Sequence, residues 1–269
     1  MSLDDNIHQH ADFLDYGVPQ LLTEGLYFAD GQILDEVYVY GSFMQSKMYA
    51  RGVRCSDCHD VHSIRRIKDG NALCLQCHQG NQHIEWQGSA HQANDVSCAS
   101  CHTVHTVHDP ALDRVTQPDM CYKCHLKERA DFFKPSNHPV RFGQLGCTDC
   151  HAVHGGGTST LLLRPTLNET CYTCHAEKRG PFLWEHAPAS EDCTLCHTPH
   201  GSIHPALLKK RPPLLCQQCH SQAGHPSVAR TTRGLPGANP SGFLLAGSCT
   251  NCHSQVHGSN HPSGVKLMR

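Results

Sequence analysis

Aromatic side chains are scarce here: 2 Trp, 7 Tyr and 8 Phe amount to 6% of 269 residues. No apolar run approaches the roughly 20 residues that a membrane-crossing helix needs, so none is expected. The segment Met1-Ser-Leu-Asp-Asp5 lacks both a positive n-region and an apolar h-region, so no signal peptide is visible. Charge of one sign is also missing. The chain has 22 Lys and Arg against 24 Asp and Glu, a net charge of −2, which argues against nucleic acid as a partner. The short runs Lys209-Lys-Arg211 and Arg65-Arg66 read as solvated surface charge. With a mean hydropathy of −0.44 and 38% hydrophobic residues, alongside 22 Gly and 16 Pro, the chain cannot bury enough apolar surface to offset its own entropy. It needs something apolar to fold around.

The cysteines supply that. All 18 fall in nine Cys-x-x-Cys-His motifs. The thiol pairs are Cys55 and Cys58, Cys74 and Cys77, Cys98 and Cys101, Cys121 and Cys124, and Cys147 and Cys150. Cys171 and Cys174, Cys193 and Cys196, Cys216 and Cys219, and Cys249 and Cys252 complete the set. The motif histidines are His59, His78, His102, His125, His151, His175, His197, His220 and His253. This spacing marks covalent attachment of haem c. Two thiols three positions apart can form thioethers to one porphyrin, and the adjacent His reaches the iron from one face. Zinc ribbons do not require that His, and nine half-sites would leave one unpaired. A disulfide scaffold would show varied spacings, and a thiol oxidoreductase would use one or two motifs beside a βαβ pattern. Nine haem c groups are therefore expected, with their iron.

Haem changes the charge. Each brings two propionates, and ferric iron in its porphyrin carries one positive charge, so the oxidised holoprotein sits near about −11. Thioether attachment takes place on the outer side of an energy-transducing membrane. The expected location is thus periplasmic or associated with the outer membrane, with an extracellular one as the alternative and a leader removed or replaced.

The remaining histidines reveal a repeat. Five motifs are followed closely by a second His: His62, His105, His154, His200 and His257. The other four are followed after a longer gap by His91, His138, His186 and His225. Two motifs and two such histidines make a unit, starting at Cys55, Cys98, Cys147 and Cys193, with a half unit at Cys249. The spacing of these starts resembles that of stacked repeats. These nine histidines are the candidates for the second axial position on the nine irons. Three residues do not carry the chain across a porphyrin, so the close His is expected to serve a neighbouring haem. His8, His10, His83, His108, His204 and His261 lie outside the pattern. A His stands seven to nine residues before Cys98, Cys147 and Cys193 but not before Cys55, as if half a unit were missing there.

The expected fold is mostly irregular loop with short α-helices and little or no β-sheet, an elongated multihaem cytochrome c whose core is the haem chain. Residues 1–54 form a haem-free N-terminal segment, and residues 55–269 a nonahaem domain of four and a half repeats. Helices are expected around Cys121 and Cys171, the latter capped by Asn168 or Thr170, and residues 30–45 lean towards helix. Gly155-Gly-Gly157, Arg211-Pro-Pro213 and residues 233–240 are breakers. Trp86 and Trp184 are expected to pack on haem edges.

Four strings carry a resemblance: Trp86-Gln-Gly-Ser-Ala-His91, the stretch from Cys171 through Trp184-Glu-His-Ala-Pro188, Cys193-Thr-Leu-Cys-His-Thr-Pro-His-Gly-Ser202, and Cys249-Thr-Asn-Cys-His-Ser-Gln-Val-His257. Over residues 71–269 the chain resembles the outer-membrane-associated decahaem cytochromes of the MtrA/DmsE type. That resemblance implies a cytochrome threaded through a porin-like β-barrel, carrying electrons between periplasm and cell exterior. Two departures stand out. There are nine motifs instead of ten, and residues 30–59 look like the region before a haem site in other multihaem cytochromes.

Two histidines per iron leave no open position for substrate, which suits electron transfer and not catalysis at iron. The expected partners are other cytochromes or a quinol-oxidising donor, an outer-membrane β-barrel and an extracellular multihaem cytochrome. Two alternatives remain at this point. One is a subunit of an extracellular cytochrome filament, with a His lent between protomers. The other is a multihaem reductase with one open iron, although no Cys-x-x-Cys-Lys motif is present.

Overall fold

The computed structural model describes residues 23–29, 34, 39–106, 108–220, 249–251 and 253–265, apart from the side chains of residues 81–83. Short helical turns joined by loops make up nearly all of it. Strands are confined to one antiparallel pair, β1 (Trp184–Glu185) and β2 (Gly258–Ser259), besides isolated bridges.

Each motif is one turn of helix, and its own backbone closes it. The N–H of the motif His donates to the carbonyl of the first Cys in all nine, from His59 to Cys55 at 2.8 Å through His253 to Cys249 at 2.9 Å. This bond spans four residues, the α-helical ring, and so brings two thiols three positions apart onto one side of the turn. In the first motif of a unit the turn stands alone, as in Cys55–Asp57, Cys147–Asp149 and Cys193–Leu195. In the second motif it ends a helix in three of four units: Asn71–Cys74, Gln117–Tyr122 and Leu167–Tyr172. Residues 122–133 do not form one helix. The turn ends at His125, where ψ is 64°, and a second helix runs from Leu126 to Phe132.

The cap of the Cys171 helix differs from expectation. Thr166 accepts the Glu169 N–H at 3.2 Å, and Asn168 does other work. Its Oδ1 accepts the N–H of Cys193 at 2.8 Å, while its Nδ2 donates to the carbonyls of Ala189 and Ser190. Asn71 takes the N–H of Cys98 in the same way, and Gln117 that of Thr148. One amide side chain therefore staples the second motif of each of the first three units to the first motif of the next.

Side-chain packing is thin. The large apolar side chains buried among the described residues are Phe43, Trp86, Tyr122, Phe132, Val140 and Leu161. The principal cluster is Tyr122, Phe132 and Val140, with Leu145 against it. Tyr40–Met44 is helical; of the other residues in 30–45, Leu34 and Val39 lie outside that helix, Gln45 is its C-cap, and residues 30–33 and 35–38 lie outside the described residues. So does the breaker over residues 233–240. Gly155-Gly-Gly157 and Arg211-Pro-Pro213 are free of helix.

Candidate functional site

A continuous cavity of about 4930 Å³ runs through the molecule, and residues of all nine motifs line it. That is about 550 Å³ per motif, within the roughly 300–1,000 Å³ of a pocket for one mid-sized ligand. The described cysteines are free thiols, and no three metal-binding side chains converge among the described residues. The disulfide and zinc readings therefore find no support there. The thiols and histidines that line this one cavity fit haem c.

The thiols also give the order of the motifs along the cavity. Burial raises the Cys58 pKa, and the nearby Cys74 and Cys77 thiols raise it further. Burial and then Cys74 raise that of Cys98; burial and then Cys121 and Cys124 raise that of Cys101. Cys121 hydrogen-bonds Cys147, which pushes the Cys121 thiol up and the Cys147 thiol down. Burial raises Cys150 and Cys196, with Cys174 and Cys219 adding to it in turn. Cys171, pushed up to about 12, feels burial and then Cys193; Cys216, at about 11, feels burial and then Cys249. Every consecutive pair of motifs thus lies near enough for its thiols to influence one another, from the first to the ninth, and hydrogen bonds join Cys74 to Cys98, Cys121 to Cys147, Cys171 to Cys193 and Cys216 to Cys249. Space and sequence run in the same order.

The off-motif histidines follow a second rule. Seven of them face a motif histidine across the cavity, with ring centres 5.9–6.3 Å apart. His105, His154, His200 and His257 face His59, His102, His151 and His197. His91, His138 and His186 face His125, His175 and His220. Two imidazoles on opposite faces of one metal, bonded at about 2 Å with ring centres about 1 Å further back, sit about 6 Å apart. The pairing crosses units in both directions. The close His of one unit reaches back to the first motif of the unit before, and the distant His reaches forward to the second motif of the unit after.

Local hydrogen bonds aim these rings. His59, His151 and His197 each hold Nδ1 against a carbonyl of their own loop, at Ile64 (2.7 Å), Thr160 (2.9 Å) and Ala206 (2.7 Å). An Nδ1–H so engaged leaves the Nε2 lone pair for a metal. The off-motif His91 and His138 do the same with the carbonyls of Val153 and Pro199, each just before a close His. Burial lowers the pKa of His105, His200 and His257 and keeps them neutral, the form that can bind a metal.

A strap between units carries both off-motif histidines. Ser136 and Ser202 exchange backbone hydrogen bonds at 3.0 and 2.8 Å, two residues from His138 and His200. Trp184 pairs with Ser259 in the same relation to His186 and His257. The glycine after the close His makes the approach possible. A Cβ on Gly155 or Gly201 would stand 1.9 Å from the carbonyl oxygen of Glu85 or Asp131, and one on Gly258 would stand 2.2 Å from the Phe182 ring.

Two candidates remain. His62 is exposed, does not line the cavity, and faces no motif histidine among the described residues. The expectation for His225 lies outside the described residues, as do those for Cys252, His8 and His10. Trp86 is buried, stacked on His91 with ring centres 6.2 Å apart; Trp184 bonds the His261 carbonyl at 2.9 Å. Asp109 escaped the sequence reading: its carboxylate takes the Nδ1 of His102 at 2.7 Å.

Comparison with known proteins agrees with this geometry. The "Doubled CXXCH motif" model matches residues 137–180 and 186–225, and the "Cytochrome c3" model matches residues 47–126. The chain is 46% identical over 250 residues to "Multiheme cytochrome MtrA" of Shewanella baltica (strain OS185), covering 86% of this chain and 75% of that protein.

Proposed function

Because the chain belongs to the family of multihaem c-type cytochromes that includes MtrA, we propose that it is a nine-haem wire, carrying electrons between periplasmic donors and an acceptor at or beyond the outer membrane. It is an electron-transfer protein, not an enzyme. Haem, when bound, supplies one-electron chemistry at each motif. The chain does the rest. The cysteine pairs would fix each porphyrin edge, and the motif histidines with the seven facing ones would hold seven irons between two imidazoles.

The observation that carries the reading is one cavity lined by all nine motifs in chain order, with seven facing histidine pairs along it. Porphyrins attached at successive motifs of that cavity would lie close enough for electron hopping, so the series has two ends. In this reading residues 55–269 are the haem-bearing domain and residues 1–54 carry none. Two histidines on each of the seven paired irons also leave no place there for nitrite or a sulfur oxyanion, unlike the open iron of a multihaem reductase.

A porin-like β-barrel around the wire is the arrangement that fits the family resemblance, and with it a periplasmic donor at one end and an extracellular cytochrome at the other. No helix among the described residues is long and apolar enough to cross a membrane. Tagged holoprotein extracted from outer membranes in mild detergent is expected to bring down a β-barrel protein in equal amount. Recovery as a soluble monomer, with no barrel in the membrane fraction, would contradict the sheath and leave a periplasmic shuttle.

A further inference from the structure

We infer that Asp109 sets the haem held by Cys98 and Cys101 apart from its counterparts, lowering its redox potential below those of the haems bound through His59, His151 and His197. The inference rests on the reading of His102 as an iron ligand.

The first motif of a unit has a common clasp. In three units the motif His gives its Nδ1–H to a neutral backbone carbonyl, and the chain two residues further on bridges back to that His: Arg66 to His59, Leu162 to His151 and Leu208 to His197. The second unit breaks the rule. Its Asp109-Pro110-Ala111-Leu112 parallels His204-Pro205-Ala206-Leu207 of the fourth unit, where the Ala206 carbonyl is the acceptor. The corresponding Ala111 carbonyl is instead taken by the Gln117 side chain at 3.0 Å. The Asp109 carboxylate replaces it, 2.7 Å from Nδ1 of His102. Its other oxygen accepts the Ala111 N–H at 3.0 Å, so the carboxylate is held in place from both sides. With its side chain 14% exposed, it is also poorly screened by water.

Glu128 and Glu177 come only to 3.9 Å from Nδ1 of His125 and His175, beyond hydrogen-bond range. Asp109 thus forms the direct carboxylate hydrogen bond that these two do not. A carboxylate on the far nitrogen raises the basicity of an imidazole ligand. The stronger donor and the fixed negative charge both favour ferric over ferrous iron, so the one-electron reduction moves to lower potential. Asp109 does not touch the iron. It is a positioning residue, and along the wire it makes the third haem one that fills late and empties early.

The test is a spectroelectrochemical titration of the holoprotein beside Asp109→Asn and Asp109→Ser. Both replacements keep an N-cap for Ala111 and remove the charge. Haem content and the low-spin spectrum are recorded first. The expected result is an unchanged haem content, with about one-ninth of the reduction amplitude moving to higher potential in both variants and the rest unmoved. A titration curve identical to the parent, with full low-spin haem loading, would overturn the inference while leaving the wire intact. A parent protein whose haem at Cys98 and Cys101 lacks two imidazoles would remove the ligand reading itself.

Discussion

At the residue scale, chemistry resides in histidines whose partners are far away in sequence. His200 faces His151 and not its own motif, because the strap at Ser136 and Ser202 carries it into the preceding unit. Replacing His200 by Ala is expected to turn one haem in about nine from low-spin to high-spin, with the other spectra unchanged. His62→Ala should leave the spin states as in the parent, since that exposed side chain does not line the cavity. Near-infrared magnetic circular dichroism of the two variants separates these outcomes; a high-spin signal from His62→Ala would break the rule that pairs units. The covalent positions were legible in the sequence because the spacing of the motif is itself the geometry of the turn. The role of Asp109 was not, since which acceptor reaches Nδ1 of His102 depends on Gln117 occupying the alternative carbonyl.

At the element scale, the contacts that matter join one unit to the next. The exposed helical turns have little stability of their own, being too short to propagate. They are held by the amide staples of Asn71, Gln117 and Asn168 and by straps that pass close to a neighbouring backbone. Gly201 lets the strap approach the carbonyl of Asp131. Gly201→Ala should cost about 1–3 kcal/mol, the usual cost of overpacking. It should also displace His200, seen as a lower melting temperature of the holoprotein together with partial high-spin character; a parent-like melt and spectrum would show that the strap can move aside. Sequence reading put the cap of the Cys171 helix at Asn168 or Thr170, one turn-edge too late. Thr166 caps it, and Asn168 is drawn away by the N–H of Cys193, a contact 25 residues along the chain that no local pattern announces.

At the scale of the whole molecule, the cofactors are the core. The few buried apolar side chains and the cavity of about 4930 Å³ belong to a shell wrapped around an interior that the chain does not supply. Chain made without haem attachment is therefore expected to show the far-ultraviolet circular dichroism of an unfolded protein, and a native-like helical spectrum would contradict this. The repeat was legible from histidine spacing alone, but the close His, expected to serve a neighbouring haem, faces the motif His two motifs back. Neither that reach nor the forward reach of the distant His was legible, because both depend on the straps.

The central claim is that an unbroken series of haems is held between paired imidazoles. Near-infrared magnetic circular dichroism of the oxidised holoprotein, calibrated against haem content by mass, tests it most directly. The account predicts nine haems per chain, with at least seven in the bis-histidine band. Fewer than seven, or a substantial high-spin population, would mean that the facing histidines do not close on iron, and the wire reading would fail.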